Sequence, residues 1–282
     1  MGNDVIVGGE AVARGELSAY ELRRGYQALF RGVHLPALRE PSLRDRTLAA
    51  WLWSKKRGVI AGAAAAALHG ANWVDADIPI ELIAPNARTQ AGLIVRNETL
   101  APDEVTRVAG IPVTTLTRTA FDLGRHLPRD EAVPRLDALK RATAFKEASV
   151  LKLAERYPGA RGLKSLRIAL PLVDRGAASP KETWLRLVFI DAGLPKPMTQ
   201  RQVFEGHKLV RVLDMCWEEF MVGAEYDGDQ HRTSRKQYAK DVQVKRKLAR
   251  LGWNVTYVIK EDHRDDIVKS AWDAMVARGW RP

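Results

Sequence analysis

The stretch that decides the fold of the C-terminal part of the chain reads MVGAEYDGDQH at residues 221–231. Its first four residues are apolar and predict a buried strand. Because side chains alternate between the two faces of a strand, Glu225 and Asp227 point to the same side. Gly228 lets the backbone turn, which predicts that His231 returns toward the two carboxylates. The stretch therefore places two acids and a histidine together at the end of one strand.

A second apolar run, at 209–213, ends in Asp214. A short connection before position 221 can fold the two runs into an antiparallel hairpin, which would place Asp214 beside Glu225 and Asp227. Carboxylates this close raise one another's pKa, and a hard divalent cation such as Mg²⁺ or Mn²⁺ relieves the repulsion. The spacing is compatible with a metal site at these three acids. The alternative is that they are surface acids at strand ends that face water.

A basic segment follows the acids. Residues 230–250 contain eight lysines and arginines against one acid, Asp241. The apolar residues between them recur at helical spacing up to Gly252, which predicts a helix. A basic helix is typically a solvated face, but beside a carboxylate cluster it favours binding of nucleic-acid phosphates. The cations that we predict to contact DNA are Arg232, Arg235, Lys236, Lys240, Lys245, Arg246 and Lys247.

The composition agrees with a nucleic-acid partner. The chain has 282 residues, a net charge of +11 and a hydrophobic content of 46%, which is ample for more than one core. Cys216 is the only cysteine, so no intramolecular disulfide can form, and we expect a reducing, cytoplasmic location. No apolar run approaches the length of a membrane-spanning helix or of a signal peptide, so no membrane partner is expected.

The first half of the chain predicts two further segments. In residues 1–44, Ser18 and Glu21 form a capping box for a short helix, and 28–35 predict a strand or small hairpin. A helix followed by a hairpin is typical of a winged helix, here truncated because few residues precede Ser18. The alternative, which the truncation favours, is that the segment only packs as a cap on the rest of the chain. Residues 45–130 alternate helical and strand patterns, which predicts a mixed α/β domain.

Two pairs of residues in the α/β domain have structural interpretations. His69 precedes Gly70 and is expected to meet a helix end rather than a metal. Arg118 and Asp122 are four residues apart in a predicted helix, which favours an intrahelical ion pair.

Residues 131–178 predict a helical connector, and 179–282 a separate domain. The predicted fold class is therefore α/β (α+β): a truncated winged-helix-like segment, a mixed α/β domain, a helical connector, and a C-terminal domain with a central mixed sheet flanked by helices.

Part of the first half resembles a known family. The runs AAALHG at 65–70, GIPVT at 110–114 and RTAFDL at 118–123 resemble the AbiEi-type antitoxin family over roughly residues 15–130. That resemblance implies a winged helix before an α/β domain, and a role in repressing transcription or neutralising a toxin partner. The shortened winged helix departs from the family pattern.

The last hundred residues resemble the PD-(D/E)XK nucleases, and within them the very-short-patch-repair endonucleases. The motifs that carry this resemblance are Asp214, the EYDG run at 225–228, His231, Asp241 and the Gly252-Trp253 pair. The resemblance implies Mg²⁺- or Mn²⁺-dependent hydrolysis of DNA, with Asp214 and Glu225 as metal ligands.

The same resemblance assigns the remaining site residues. Asp227 stands where most members have a lysine, and it would orient water or join the metal shell. His231 would act near the leaving group. Glu182 matches an acid on the first helix, although a glutamate at the third helical position also has a capping role. Asp241 would support the site or pair with Arg246.

Two functions from different classes follow from the sequence. The first is a metal-dependent DNA endonuclease acting in defence or repair. The second is a regulator or antitoxin-like protein whose nuclease fold serves only to dock DNA. Cleavage of RNA is a third reading of the same residues. The complete set of acids favours an enzyme, whereas Asp227 at the lysine position favours the regulator.

Overall fold

The structure is a computed structural model that describes residues 4–85, 89–228 and 235–282, without the side chains of 236–238. It is an α+β protein, as predicted, and divides into two compact units, residues 1–173 (unit 1) and 174–282 (unit 2). The boundary precedes the expected start of the last domain at position 179. The three helices expected as a connector in 131–178 lie in unit 1. In the part of the chain that the structure describes, no helix is both long and apolar enough to cross a membrane.

Unit 1 begins with a small antiparallel sheet of strand order β1-β3-β2. Its strands are β1 (Ile6–Val7), β2 (Tyr26–Phe30) and β3 (Val33–Pro36). The helices around them are α1 (Gly8–Ala13), α2 (Ala19–Gly25) and α3 (Leu43–Trp53). The predicted capping box is confirmed, because Glu21 N donates to Ser18 Oγ at 3.1 Å and Ser18 N donates to the Glu21 carboxylate at 2.7 Å. The predicted hairpin corresponds to β2 and β3.

A mixed five-stranded sheet of order β6-β5-β4-β8-β7 forms the centre of unit 1. Its strands are β4 (Val59–Ala61), β5 (Ile80–Ile83), β6 (Leu93–Arg96), β7 (Val105–Val108) and β8 (Ile111–Thr114). The helices are α4 (Gly62–Leu68), α5 (Leu116–His126), α6 (Arg129–Ala142), α7 (Glu147–Arg156) and α8 (Leu163–Ala169). His69 follows the end of α4 and contacts the Thr114 carbonyl oxygen through Nε2 at 2.8 Å, as a structural residue would.

Helices α6, α7 and α8 pack against α5 instead of spanning a gap between domains. Two glycines permit this packing. A Cβ atom at Gly124 of α5 would collide with Leu166 of α8, and a Cβ atom at Gly162 would collide with the carbonyl oxygen of Arg125. Gly162 also has φ of 88°, a left-handed value that favours glycine. The segment that leads into α8 is therefore held directly against α5.

Unit 2 has the element order that the sequence predicted, with one additional strand. The elements are α9 (Pro180–Asp191), β9 (Met198–Glu205), β10 (Lys208–Trp217), β11 (Val222–Tyr226), α10 (Arg235–Arg250), β12 (Asn254–Val258) and α11 (Arg264–Ala277). The sheet is mixed, in the order β12-β11-β10-β9, with β12 parallel to β11. The unpredicted strand is β9, at the edge of the sheet.

Two apolar clusters cover this sheet. One joins α9 and α11 to the sheet through residues such as Leu185, Phe189 and Met275. The other joins α10 to the sheet through Leu248, with Trp253 just beyond the helix. These clusters hold the middle of β10, which carries Asp214, beside the C-terminal end of β11, which carries Glu225.

Candidate functional site

The predicted hairpin is present and brings the first two acids together. Strands β10 and β11 are antiparallel, with Met215 opposite Ala224. Continuing that register by one residue puts Asp214 opposite Glu225, on the same face of the sheet. The parallel strand β12 places Tyr257 beside Glu225 on the other side. Three adjacent strands therefore contribute side chains to one position.

These side chains line a cavity of about 230 Å³ in unit 2. The charged residues that line it are Glu182, Arg211, Asp214, Glu225, Asp227, Asp241 and Lys245, together with Tyr226, Val244 and Tyr257. Five of the charged residues are acids and two are bases, so the lining has an excess of negative charge at neutral pH. Such an excess attracts cations and disfavours a simple structural role for all five acids.

Asp214 is the acid with the strongest perturbation. Its carboxylate accepts a hydrogen bond from the Tyr226 backbone amide at 2.9 Å. Burial raises the pKa of Asp214 to about 7, helped by repulsion from Glu182 and Glu225, while the Tyr226 amide acts in the opposite direction. Burial is a larger cause than the repulsion between carboxylates that the sequence suggested. A carboxyl group in this condition gains stability when a cation binds beside it.

Glu225 differs because it already has a cationic partner. Its side chain is buried, and Arg211 donates to both carboxylate oxygens at 2.8 and 2.7 Å. This two-point ion pair raises the pKa of Arg211, although burial opposes the shift. A metal ion at Glu225 would have to share or replace the guanidinium contacts.

Asp227 lies opposite a lysine from the basic helix. Lys245 Nζ is 3.8 Å from Asp227 Oδ2, and it also lies 3.7 Å from the centre of the Tyr257 ring. Burial, and then the charge of Glu225, raise the pKa of the Tyr257 hydroxyl. Lys245 therefore has an ion-pair and a cation–π contact inside the cavity, whereas the sequence placed it among the DNA contacts.

Glu182 combines both roles that the sequence considered. The cap residue Ser179 accepts a hydrogen bond from Glu182 N at 3.2 Å, and the Glu182 carboxylate accepts one from Ala178 N at 2.8 Å. Gln200 also donates to this carboxylate at 3.2 Å. The same side chain lines the cavity and repels Asp214. The capping bonds thus fix an acid at the rim of the site.

The remaining predicted site residues have mixed outcomes. Asp241 lines the cavity itself, on the same face of α10 as Lys245. His231 and Arg232 lie outside the described residues, as does the side chain of Lys236. The predicted DNA contacts that are exposed on α10 are Arg235, Lys240 and Arg246. Lys247 instead forms an ion pair with Glu205.

The spacing of the carboxylates limits what the cavity can hold as it stands. Among the described residues, only Glu98, Asp122 and His126 of unit 1 bring three ligand atoms within 4.8 Å of one another. The acids of the unit 2 cavity are spread more widely. The donor set of carboxylate oxygens fits a hard cation, and Asp214 is the acid of this set whose pKa is raised most clearly.

Sequence reasoning missed two members of the site, Arg211 and Tyr257. Arg211 was read only as part of an apolar run, although an arginine within a buried strand needs a partner. Tyr257 could not be placed beside Glu225 without the parallel register of β12. A usable signal existed for Lys245, because Asp241 and Lys245 are four apart and share a helix face.

Comparisons with known proteins give relatives of the same length but no activity. Two uncharacterized proteins of Mycobacterium tuberculosis, MT2308 of strain CDC 1551/Oshkosh and Rv2248 of strain ATCC 25618/H37Rv, are each 29% identical over 256 residues. Each alignment covers 90% of this chain and 92% of the relative. The crystal structure of the RV2827C protein from the same organism is 15% identical, with a TM-score of 0.40, over 72% of this chain and 84% of that chain. No family model matches the sequence.

Proposed function

We propose that this protein is a DNA endonuclease that uses a divalent cation, Mg²⁺ or Mn²⁺, to hydrolyse phosphodiester bonds. The observation that carries the proposal is the unit 2 cavity, which five acids and two bases line from the sheet and from helices α9 and α10. A basic helix, α10, runs directly from this cavity. The arrangement fits the resemblance to PD-(D/E)XK nucleases of the very-short-patch-repair type.

The acids divide the work of holding the cation. Asp214 and Asp227 would bind it, with Glu225 as a third ligand and Glu182 acting at the rim through water. A cation bound there supplies Lewis-acid activation of the scissile phosphate and of a water molecule. Burial, with repulsion from Glu182 and Glu225, raises the pKa of Asp214, and a cation bound at the carboxylate would offset both effects. Asp227 would orient the attacking water, and His231 would protonate the leaving oxygen.

Lys245 can supply the positive charge that is missing because Asp227 stands at the motif's lysine position. An aspartate at the motif's lysine position cannot supply positive charge to the phosphate. Lys245 Nζ lies 3.8 Å from that aspartate, so helix α10 brings an ammonium group to the same place by another route. Lys245 would hold a phosphate oxygen, while the exposed Arg235, Lys240 and Arg246 contact flanking phosphates.

A regulator that docks DNA without cutting it is the second candidate. The ion pair between Arg211 and Glu225 favours it, because both oxygens of a proposed metal ligand are already engaged. In this alternative the resemblance of unit 1 to AbiEi-type antitoxins gives the role: repression of transcription or neutralisation of a toxin. The two candidates differ in two measurable properties, cleavage of nucleic acid and binding of a cation at the cavity.

Cleavage of supercoiled plasmid in the presence of Mg²⁺ or Mn²⁺ tests the proposal. We expect wild-type protein to nick or cut the DNA, and Asp214→Asn to lose at least a hundredfold in rate while binding DNA as well as before. Asp273→Asn is the matched control, because Asp273 is an exposed acid of the same unit, paired with Lys269. Labelled single-stranded RNA of matching sequence shows whether the substrate is RNA instead.

Metal titration separates the two candidates directly. If a cation competes with Arg211 for Glu225, Arg211→Met should raise the affinity for Mn²⁺ measured by calorimetry, and Asp214→Asn should abolish binding. A wild-type protein that cuts neither DNA nor RNA, and that shows no heat with either cation, would leave the regulator as the better account.

A further inference from the structure

Unit 1 contains an open cleft of about 1020 Å³ that the proposed nuclease function does not use. One wall is a face of α5, and the other is the segment at 156–162 that leads from α7 into α8. The α5 residues that face the cleft recur at helical spacing: Arg118, Phe121, Arg125 and His126. Because Gly162 holds the second wall against Arg125, the cleft is bounded by packed elements on both sides.

The lining of this cleft is strongly cationic. Five arginines face it, against a single carboxylate, Glu98. The arginines are Arg96, Arg118, Arg125, Arg156 and Arg161. Cations that face an open cleft favour an anionic ligand, and the planar guanidinium group suits phosphate and carboxylate oxygens in particular.

Buried acids form ion pairs with several of these arginines. Asp122 and Glu104 have side chains that are 1% and 3% exposed, and both accept hydrogen bonds from Arg118. Glu81 holds Arg96 in the same way, at 2.8 and 2.7 Å. The whole set is close to neutral, which lets the cluster fold. Arg118 and Arg125 are buried beside Glu98, whereas Arg156 and Arg161 are exposed at the opening and supply its accessible positive charge.

A metal ion is a poor fit despite suitable spacing. Ligand atoms of Glu98, Asp122 and His126 lie within 4.8 Å of one another. However, Arg118 donates to Asp122 at 3.0 Å and to Glu98 at 2.6 Å, and Arg125 donates to the same two carboxylates. A cation at this point would meet two buried guanidinium groups, so the cluster repels it.

Two arginines at the rim keep donors for a ligand. Arg156 is 48% exposed and uses only Nη1 to bind Asp103 and Glu104. Arg161 is exposed, and no acid among the described residues forms an ion pair with its side chain. The half-buried ring of Tyr157 lies between them in sequence and also lines the cleft. Phosphate-binding groups and an aromatic surface are thus adjacent.

We propose that this cleft binds a nucleoside phosphate, with the phosphates on Arg156 and Arg161 and the base beside Tyr157. The volume supports a ligand of this size, because sites for small molecules typically measure roughly 300 to 1,000 Å³, far more than one phosphate needs. Glu98, the only acid in the lining, already accepts hydrogen bonds from Arg118 and Arg125, so it orients these arginines instead of binding the nucleoside. This site is independent of the unit 2 cavity.

Calorimetric titration of the full chain in EDTA, with ATP, AMP and inorganic phosphate as separate probes, tests the proposal. EDTA keeps divalent cations away from the unit 2 acids. We expect ATP to bind at least tenfold more tightly than inorganic phosphate, because only ATP contacts both the arginines and the aromatic wall. Arg161→Glu should weaken ATP binding at least tenfold, since it reverses the charge of an exposed cation.

Arg167→Glu is the matched control, because Arg167 is an exposed arginine of α8 that does not line the cleft. It should bind ATP like the wild type, and Asp214→Asn should do so too. Circular dichroism shows whether each variant is folded. ATP binding that survives Arg161→Glu would place the ligand elsewhere and overturn the proposal, as would equal affinity for ATP and inorganic phosphate or no binding of any probe. The Asp214→Asn result keeps this test separate from that of the nuclease.

Discussion

Two cavities among the described residues, one in each unit, are lined mainly by charged side chains, but the prevailing charge has the opposite sign in each. In unit 2, five acids and two bases line a cavity of about 230 Å³. In unit 1, five arginines and one acid line a cleft of about 1020 Å³. In each cavity the less common charge is paired with the more common one: Arg211 with Glu225 in unit 2, and Glu98 with Arg118 in unit 1. The remaining charges of the more common sign face the cavity. The first cavity is suited to a cation, and the second to an anion.

One carboxyl group from each cavity shows what the neighbours do. Burial acts to raise the pKa of Glu98, but the bonds from His126 and Arg125, with the charge of Arg118, outweigh it and hold that pKa well below its usual range. At Asp214, in contrast, burial prevails. The charges of Glu182 and Glu225 add to its effect, and the pKa rises to about 7. The presence of a cationic partner therefore decides whether a buried acid is stabilised by the fold or left to bind a ligand.

The largest effect on stability is expected on removing the charge of Arg118 from the cluster of arginines and acids in unit 1. Arg118 is 2% exposed and donates to Asp122, Glu104 and Glu98. Arg118→Met leaves those acids short of a partner in a buried site, which should cost about 3–5 kcal/mol of unfolding free energy. Scanning calorimetry of the full chain should show the loss as a lower melting temperature.

The control for this variant is Arg167→Met, an exposed arginine of the same unit, which should change stability by less than about 0.5 kcal/mol. If Arg118→Met were as stable as the wild type, the acids around it would not depend on its charge. The claim that the buried acids of unit 1 are stabilised by their cationic partners, unlike Asp214 in unit 2, would then be wrong.

Removing the charge of Asp214 in unit 2 should have the opposite effect on stability, an increase in the free energy of unfolding. With a folded-state pKa of about 7, against an ordinary 3.8, Asp214 binds its proton more tightly in the folded state. Stability from this group is therefore greatest at low pH and falls as pH rises from about 4 to about 7. Asp214→Asn keeps an oxygen for the Tyr226 amide but has no charge. In EDTA at pH 8 it should stabilise the protein by about 1–3 kcal/mol, below the upper bound of about 4 that three pKa units imply.

Thermal melts at pH 5 and pH 8 check this expectation, with Asp273→Asn as the exposed control that should change little at either pH. The gain from Asp214→Asn should be smaller at pH 5, where the wild-type acid is largely protonated. Added Mn²⁺ should raise the melting temperature of the wild type but not that of Asp214→Asn, because a ligand of the folded state stabilises it. A destabilised Asp214→Asn protein in EDTA would show that this acid already has a favourable partner.

Local patterns in the sequence were sufficient for most elements of the fold. The hairpin of β10 and β11 followed from two apolar runs and a short connection, and α10 from its apolar spacing. Strand β9 was missed because its segment, MTQRQVFE, lacks an apolar run and does not alternate cleanly. The position of α6 to α8 against α5 also escaped prediction, because it depends on contacts distant in sequence.

The candidate site was predictable where its residues share a strand or hairpin. Asp214 and Glu225 needed only the hairpin register, and Glu182 only the capping pattern. The partner of Glu225, Arg211, was missed because a run of apolar residues concealed it. The sequence predicts a raised pKa for Asp214 from repulsion between carboxylates, but not burial, which is the larger cause. The cationic cleft of unit 1 could not be predicted, since it results from side chains brought together by tertiary packing.

The smallest expected effect concerns DNA binding by two neighbouring cations of helix α10, one exposed and one paired with an acid. Arg246 is exposed on α10, whereas its neighbour Lys247 forms an ion pair with Glu205 and is 22% exposed. If paired cations are structural and unpaired ones bind phosphate, Arg246→Gln should lower the slope of log K against log salt for duplex DNA by ~0.9. Lys247→Gln should leave the slope nearly unchanged, because it removes a cation already neutralised by an acid. Fluorescence anisotropy at several salt concentrations measures both slopes. Equal reductions would show that Lys247 leaves Glu205 to contact DNA, and that pairing in the free protein does not identify which cations bind.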